Sequence, residues 1–129
     1  MHDRSPDSRP CVLIFDDHAP SRLVACLALS SLGYVCAGVS TESDALLAID
    51  RLAPDVIIYE CHRPDGAFRR GFSRDLRDRA EAIGSTVIVV AMSFLDAPSS
   101  TLRSEECIDR YLTKPFELRV LGEALARQR

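Results

Sequence analysis

Three acids and one lysine in this 129-residue chain have the types and spacing for chemistry at a phosphate or a metal ion. Asp16 and Asp17 follow the apolar run Cys11–Phe15. Glu60 ends the run Asp55-Val-Ile-Ile-Tyr-Glu60, and Lys114 stands directly before Pro115. Carboxylates gathered at one point repel unless a cation neutralises them, and either Mg²⁺ or Lys114 could do so. Each residue alone is weak evidence. An Asp-Asp, an acid and a Lys-Pro on successive strand ends form a strong joint signal, because an open parallel sheet binds its ligands outside the carboxyl ends of its strands.

The elements that must position these groups alternate along the chain. Cys11–Phe15, Val56–Tyr59 and Val87–Ala91 are short runs rich in Val and Ile, as expected of strands buried on both faces. Tyr34–Val39 and Ile108–Leu112 are weaker strand candidates, nearer the edges. Pro20 suits the first turn of a helix with Leu23, Cys26 and Leu27 on its apolar stripe, closed by a left-handed Gly33. Thr41 and Asp44 form a Thr-x-x-Asp cap ahead of Ala45, Ile49 and Leu52. A third helix carries Phe68, Phe72, Leu76, Ala80 and Ile83 in one stripe and ends at Gly84. A polar fourth is expected around Pro98–Cys107. The last, Glu117–Arg127, buries Leu118, Leu121 and Leu125. This βαβαβαβαβα pattern predicts an α/β fold, a doubly wound parallel sheet with helices on both faces and right-handed crossovers.

Composition narrows the function classes. The length suits one domain, with residues 1–10 read as a disordered tail and 11–129 as the folded part. A net charge of -3 gives no reason to expect a nucleic-acid partner. No apolar stretch is long enough to span a bilayer, and the polar, Pro-containing N-terminus is not a signal peptide. Five cysteines without a C-x-x-C pair read as a reducing, cytoplasmic setting with neither a disulfide framework nor a zinc site. The arginines at 63, 69, 70, 74, 77 and 79 alternate with acids and read as a solvated, salt-bridged helix face. His18 reads as a solvent-facing loop residue, and Cys61 shows no sign of a lowered pKa. The chain ends where its fifth helix should end, so no output domain is expected to follow.

Together these motifs resemble the receiver domains of response regulators. Val12-Leu-Ile-Phe-Asp-Asp17 is similar to their first strand and acidic pair. Pro54 to Glu60 resembles the third strand, and Pro64-Asp65-Gly66 the turn after it. Tyr111-Leu-Thr-Lys-Pro-Phe116 resembles the fifth strand, lysine and cis-proline segment. The resemblance covers roughly residues 11 to 127. It implies a (βα)5 CheY-like, flavodoxin-like fold with strand order 2-1-3-4-5. It also implies Mg²⁺ held by Asp16, Asp17, the acceptor position Glu60 and the backbone carbonyl of His62. In the family the acceptor takes a phosphoryl group from a histidine kinase. A hydroxyl at the end of the fourth strand then binds that group, and an aromatic residue, here Tyr111, rotates inward. Output passes through the fourth helix, fifth strand and fifth helix.

Three departures bear on that mechanism. Glu60 stands where the family has aspartate, one methylene longer, and a misplacement near 1 Å can cost about a hundredfold in rate. The switch-hydroxyl position is Ala91, with Ser93 two residues on and able to substitute only if the loop shifts. The Pro64–Gly66 turn is about two residues short. A Glu60–Lys114 ion pair is therefore expected. The reading is a non-enzymatic pseudo-receiver that requires no cofactor and binds a protein partner: a histidine kinase, a transcription regulator, another signalling protein or a second copy. For a docked partner or a second copy the resemblance implies the face with Arg103, Glu105, Glu106, Asp109, Arg110 and Arg119. The alternative is a receiver that still holds Mg²⁺ and switches. A phosphatase-like or nucleotide-binding enzyme is disfavoured, because Asp16-Asp17-His18 is not Asp-x-Asp and no strand is followed by a Gly-rich phosphate loop.

Overall fold

The computed structural model describes residues 9–94, 107–115 and 118–126. Five strands, β1 (Cys11–Phe15), β2 (Val35–Val39), β3 (Val56–Glu60), β4 (Ile88–Ser93) and β5 (Arg110–Thr113), form one parallel sheet in the order β2-β1-β3-β4-β5. The described helices are α1 (Ala19–Ser31), α2 (Glu42–Leu52), α3 (Phe72–Ala82) and α4 (Leu118–Ala126). The helix expected around Pro98–Cys107 falls almost wholly outside the described residues, as do most of the polar tail and residues 116 and 117. The carbonyl of Pro10 accepts from Val35 N–H at 2.9 Å, so sheet pairing begins one residue before β1.

The period-2 alternation of buried strands divides the core in two. Leu13, Phe15, Ile57, Tyr59, Val89 and Ala91 face α2 and α3, where Ala45, Ala48, Ile49, Phe72, Leu76 and Ala80 complete one layer. Val12, Ile14, Ile58, Val90, Met92 and Leu112 face the other way, onto Ala25 and Leu29 of α1 and Leu121 and Leu125 of α4. Both faces are covered, which is why these strands read as unbroken apolar runs.

Local signals set most boundaries. The Thr41 hydroxyl accepts from Asp44 N–H at 3.1 Å as the N-cap of α2. Gly33 and Gly84 follow their helices at φ of 93° and 76°, the left-handed region that favours glycine. Several expectations are corrected. β4 continues past Ala91 to Ser93, because Glu60 and Thr113 on the neighbouring strands still pair with Met92 and Ser93. The buried face of α1 is Ala25 and Leu29, not Leu23 and Leu27, which are 60% and 62% exposed. That helix is apolar on nearly every side, so periodicity does not choose its face, and the small Ala25 lets it approach the sheet. The ends of the other stripes, Leu52 and Ile83, are also exposed. Phe68 lies ahead of α3 against the His62 ring.

Urea unfolding distinguishes the two faces of α1. Leu29→Ala should cost about 2–5 kcal/mol by opening a cavity, and Leu23→Ala should stay within about 0.5 kcal/mol.

Candidate functional site

The carboxyl ends of β1, β3, β4 and β5 meet at one edge, and Lys114 joins them. Its ammonium lies 2.8 Å from Asp16 Oδ2 and 2.8 Å from Glu60 Oε1. The Glu60–Lys114 pair expected from sequence is formed, and Asp16 shares it. Asp16 is completely buried. Its Oδ1 accepts from His18 N–H at 3.0 Å, and its carbonyl accepts from Arg22 Nη1 at 2.6 Å. Glu60 Oε2 accepts from His62 N–H at 2.9 Å. Lys114 donates its own N–H to the Ser93 carbonyl, and the Lys114–Pro115 bond is cis, as the resemblance implied. Burial pulls the Lys114 ammonium towards neutrality, but hydrogen bonds and charges from Asp16 and Glu60 outweigh it and hold its pKa above the ordinary lysine value.

Asp17 has a different partner, one that sequence reasoning missed. Arg69 is 5% exposed and belongs to the loop before α3, not to a solvated helix face. Its Nη2 lies 3.1 Å from Asp17 Oδ2, its Nη1 bonds Glu42 Oε2, and its Nε donates to the Glu60 carbonyl at 3.0 Å. The guanidinium also stacks 4.6 Å from the centre of the Phe15 ring. A planar fork with five donors suits such divergent acceptors, where a single ammonium would not. The neighbouring arginines pair off their own helix as well: Arg77 with Asp109 at 2.6 Å, and Arg79 with Asp50 at 2.7 Å. A signal for Arg69 was present in the charge count, since three acids against one lysine leave the edge short of positive charge.

The remaining positions settle around this cluster. Ala91 is buried between its sheet neighbours Tyr59 and Tyr111 and offers no hydroxyl. Ser93 does reach the cleft, its Oγ 2.8 Å from His62 Nδ1. The His62 ring, expected to play no part, thus sits between Ser93 and Glu60 and packs edge-on to Phe68. Tyr111 is half-buried with its hydroxyl 3.9 Å from Cys61 Sγ, and burial raises its phenol above the ordinary range. Burial likewise pushes the Cys61 thiol up to about 11, so it is a poor thiolate at neutral pH. His18 is exposed as expected, yet it caps α1 by accepting Ser21 N–H on Nδ1 at 3.2 Å.

Asp16, Asp17, Glu60, His62, Ser93 and Lys114 line a cleft of about 290 Å³. Its oxygen-rich acids have the donor chemistry Mg²⁺ prefers. Asp16, Asp17, Glu60 and the His62 carbonyl are the groups that would hold it, and here Asp16 and Glu60 pair with Lys114 and Asp17 with Arg69. A divalent cation would share these carboxylates with the cations the protein already supplies.

Two measurements probe this charge balance. Lys114 is the only lysine in the chain, so lysine-selective isotope labelling should give one side-chain signal, titrating above 10.5. A pKa raised by folding contributes stability that is complete below the unfolded value and lost as pH rises through the folded one. Unfolding at alkaline pH should therefore lose a contribution that Lys114→Met lacks at every pH. Arg69→Met should cost about 1–3 kcal/mol, moderated because Asp17 and Glu42 are partly solvated, and Arg69→Lys should restore little of it.

No family model matches the chain. Over 127 residues, 96% of the chain, it is 30% identical to the sensor histidine kinase RcsC of Salmonella typhimurium and 29% identical to that of Salmonella typhi. It spans 13% of the length of these curated relatives. Among solved structures, a CheY-like response regulator receiver domain from Methylobacillus flagellatus matches with a TM-score of 0.79 at 25% identity, over 95% of this chain and all of that one. The receiver domain of the sensor histidine kinase PA1611 from Pseudomonas aeruginosa, with magnesium coordinated in its active-site cleft, matches with a TM-score of 0.75 at 22% identity, over 93% and 97% of the two chains. The chemotaxis protein CheY4 of Vibrio cholerae matches with a TM-score of 0.78 at 21% identity, over 93% and 98%. The likeness runs through nearly the whole chain, strand order included, and the chain belongs to the CheY-like receiver domains of two-component signalling.

Proposed function

We propose that this receiver is a pseudo-receiver, a non-enzymatic cytoplasmic module that signals by binding a protein partner without accepting a phosphoryl group. The observation that carries this reading is the engagement of the carboxylate at the acceptor position. Both Glu60 oxygens are engaged, by Lys114 and by His62 N–H. Arg69 holds Asp17, and Ala91 offers no hydroxyl where the family's phosphoryl group would be bound. In-line attack from Glu60 would require breaking the Lys114 pair and shortening the reach of the side chain by a methylene. Both curated matches are sensor histidine kinases, so a kinase chain or its signalling partner is the first candidate for what the domain binds. A transcription regulator, or a second copy meeting it through β5 and α4, are the others.

A second reading keeps the switch. It is favoured by the magnesium in the Pseudomonas receiver's cleft, by the retained Asp16 and Asp17, and by the Ser93 hydroxyl beside His62. In that case Mg²⁺ would displace Arg69 from Asp17.

Incubation with Mg²⁺ and a small-molecule acyl phosphate, followed by intact-mass measurement, separates the two. The wild-type chain should gain no phosphoryl group, and millimolar Mg²⁺ should leave the amide signals of residues 16–17 and 60–62 in place. A phosphoryl group mapped to Glu60 would sink the pseudo-receiver reading. Glu60→Asp calibrates the result: modification of that variant would place the whole block at the acceptor, and its absence would implicate Ala91 and Arg69 as well.

A further inference from the structure

Away from the acidic edge, two cysteines from different elements are in contact. Cys26 of α1 and Cys36 of β2 bring their sulfurs to 2.9 Å, with the Cys36 S–H directed at Cys26 Sγ. Non-bonded carbon atoms ordinarily pack about 3.5–4.0 Å apart and sulfur is larger, so this contact is close. Both thiols are free and half-buried, within reach of a small solute. Cys61 and Cys107, by contrast, are buried. Cys11 stands one residue before Val12, the sheet partner of Cys36, and is the natural competitor for it.

We propose that Cys26 and Cys36 are a reversible oxidation site that closes to a disulfide under a peroxide-class oxidant. Hydrogen peroxide oxidises the Cys26 thiol to a sulfenic acid, with release of one water. The Cys36 sulfur then attacks the Cys26 sulfur. The S–O bond breaks, the S–S bond forms, and the departing hydroxide takes the Cys36 proton as a second water. Two thiols lose two electrons, and one peroxide is reduced to two waters. The order of events follows from the contact: Cys26 accepts the hydrogen bond, and burial raises the Cys36 thiol, helped by its bond to Cys26. The bridge would clamp the second half of α1 to the edge strand β2 around the Gly33 turn and leave the acidic cluster untouched.

The test uses the whole reduced chain, freed of reductant, exposed to equimolar hydrogen peroxide under native conditions, then denatured and alkylated. Three of the five cysteines should take the alkyl group, with a linked Cys26–Cys36 peptide recovered, and dithiothreitol should restore all five. Cys11→Ser should still form the bridge, Cys26→Ser should leave every remaining cysteine alkylatable, and Cys36→Ser should hold Cys26 as an unbridged sulfenic acid that dithiothreitol returns to the thiol. The wild-type peptide map stands alone should a variant fold poorly. In the wild type, five alkylated cysteines, added oxygen without a bridge, or a bridge through Cys11 would each overturn the assignment.

Discussion

The ammonium of Lys114 between Asp16 and Glu60 is the contact on which the rest of the site depends. The three side chains come from the ends of β1, β3 and β5, so the contact exists only with those strands in this order and register. Lys114 is 8% exposed and both acids are buried. A charge cluster of this kind is weak evidence of net stability but costly to break from one side, because the partner left behind stays buried and uncompensated. It therefore acts chiefly as a selector of geometry: few other arrangements of the same sheet satisfy all three groups.

Arg69 completes what Lys114 begins. With one lysine alone the edge would retain an uncompensated Asp17. The guanidinium reaches it from the loop beyond β3, and the same fork ties Glu42 at the start of α2 and the backbone at the end of β3. The loop after β3 is thereby tied to β1 and α2. Asp16 and Glu60 share Lys114 while Asp17 pairs with Arg69, so much of the acidic charge at this edge is offset by the folded chain itself.

Much of this was legible in the sequence because strand ends are legible. A short Val- and Ile-rich run that stops at an acid, or at Lys-Pro, marks both a buried strand and the group it presents, so Asp16, Glu60 and Lys114 could be placed at one edge. Arg69 could not. It sits in an Arg-rich stretch where helical spacing suggested solvent, and only the path of the loop brings it back over Phe15. The face of α1 was illegible for a different reason: with apolar residues all round, Leu23 and Leu27 matched the helical period as well as Ala25 and Leu29 did, and shape complementarity decided between them. The end of β4 ran past its apolar run because Met92 pairs with both neighbours and Ser93 still pairs with Thr113 of β5.

Fifteen of the sixteen basic residues are arginine, and the single lysine is spent in the buried site. The surface of this chain is therefore almost blank to amine-directed chemistry. Coupling through an activated ester, lysine cross-linking and attachment to an amine-reactive support would all proceed through the terminal amine. A chain fixed in that way is held by one point, with its carboxyl-edge cleft and both helical layers left unmodified.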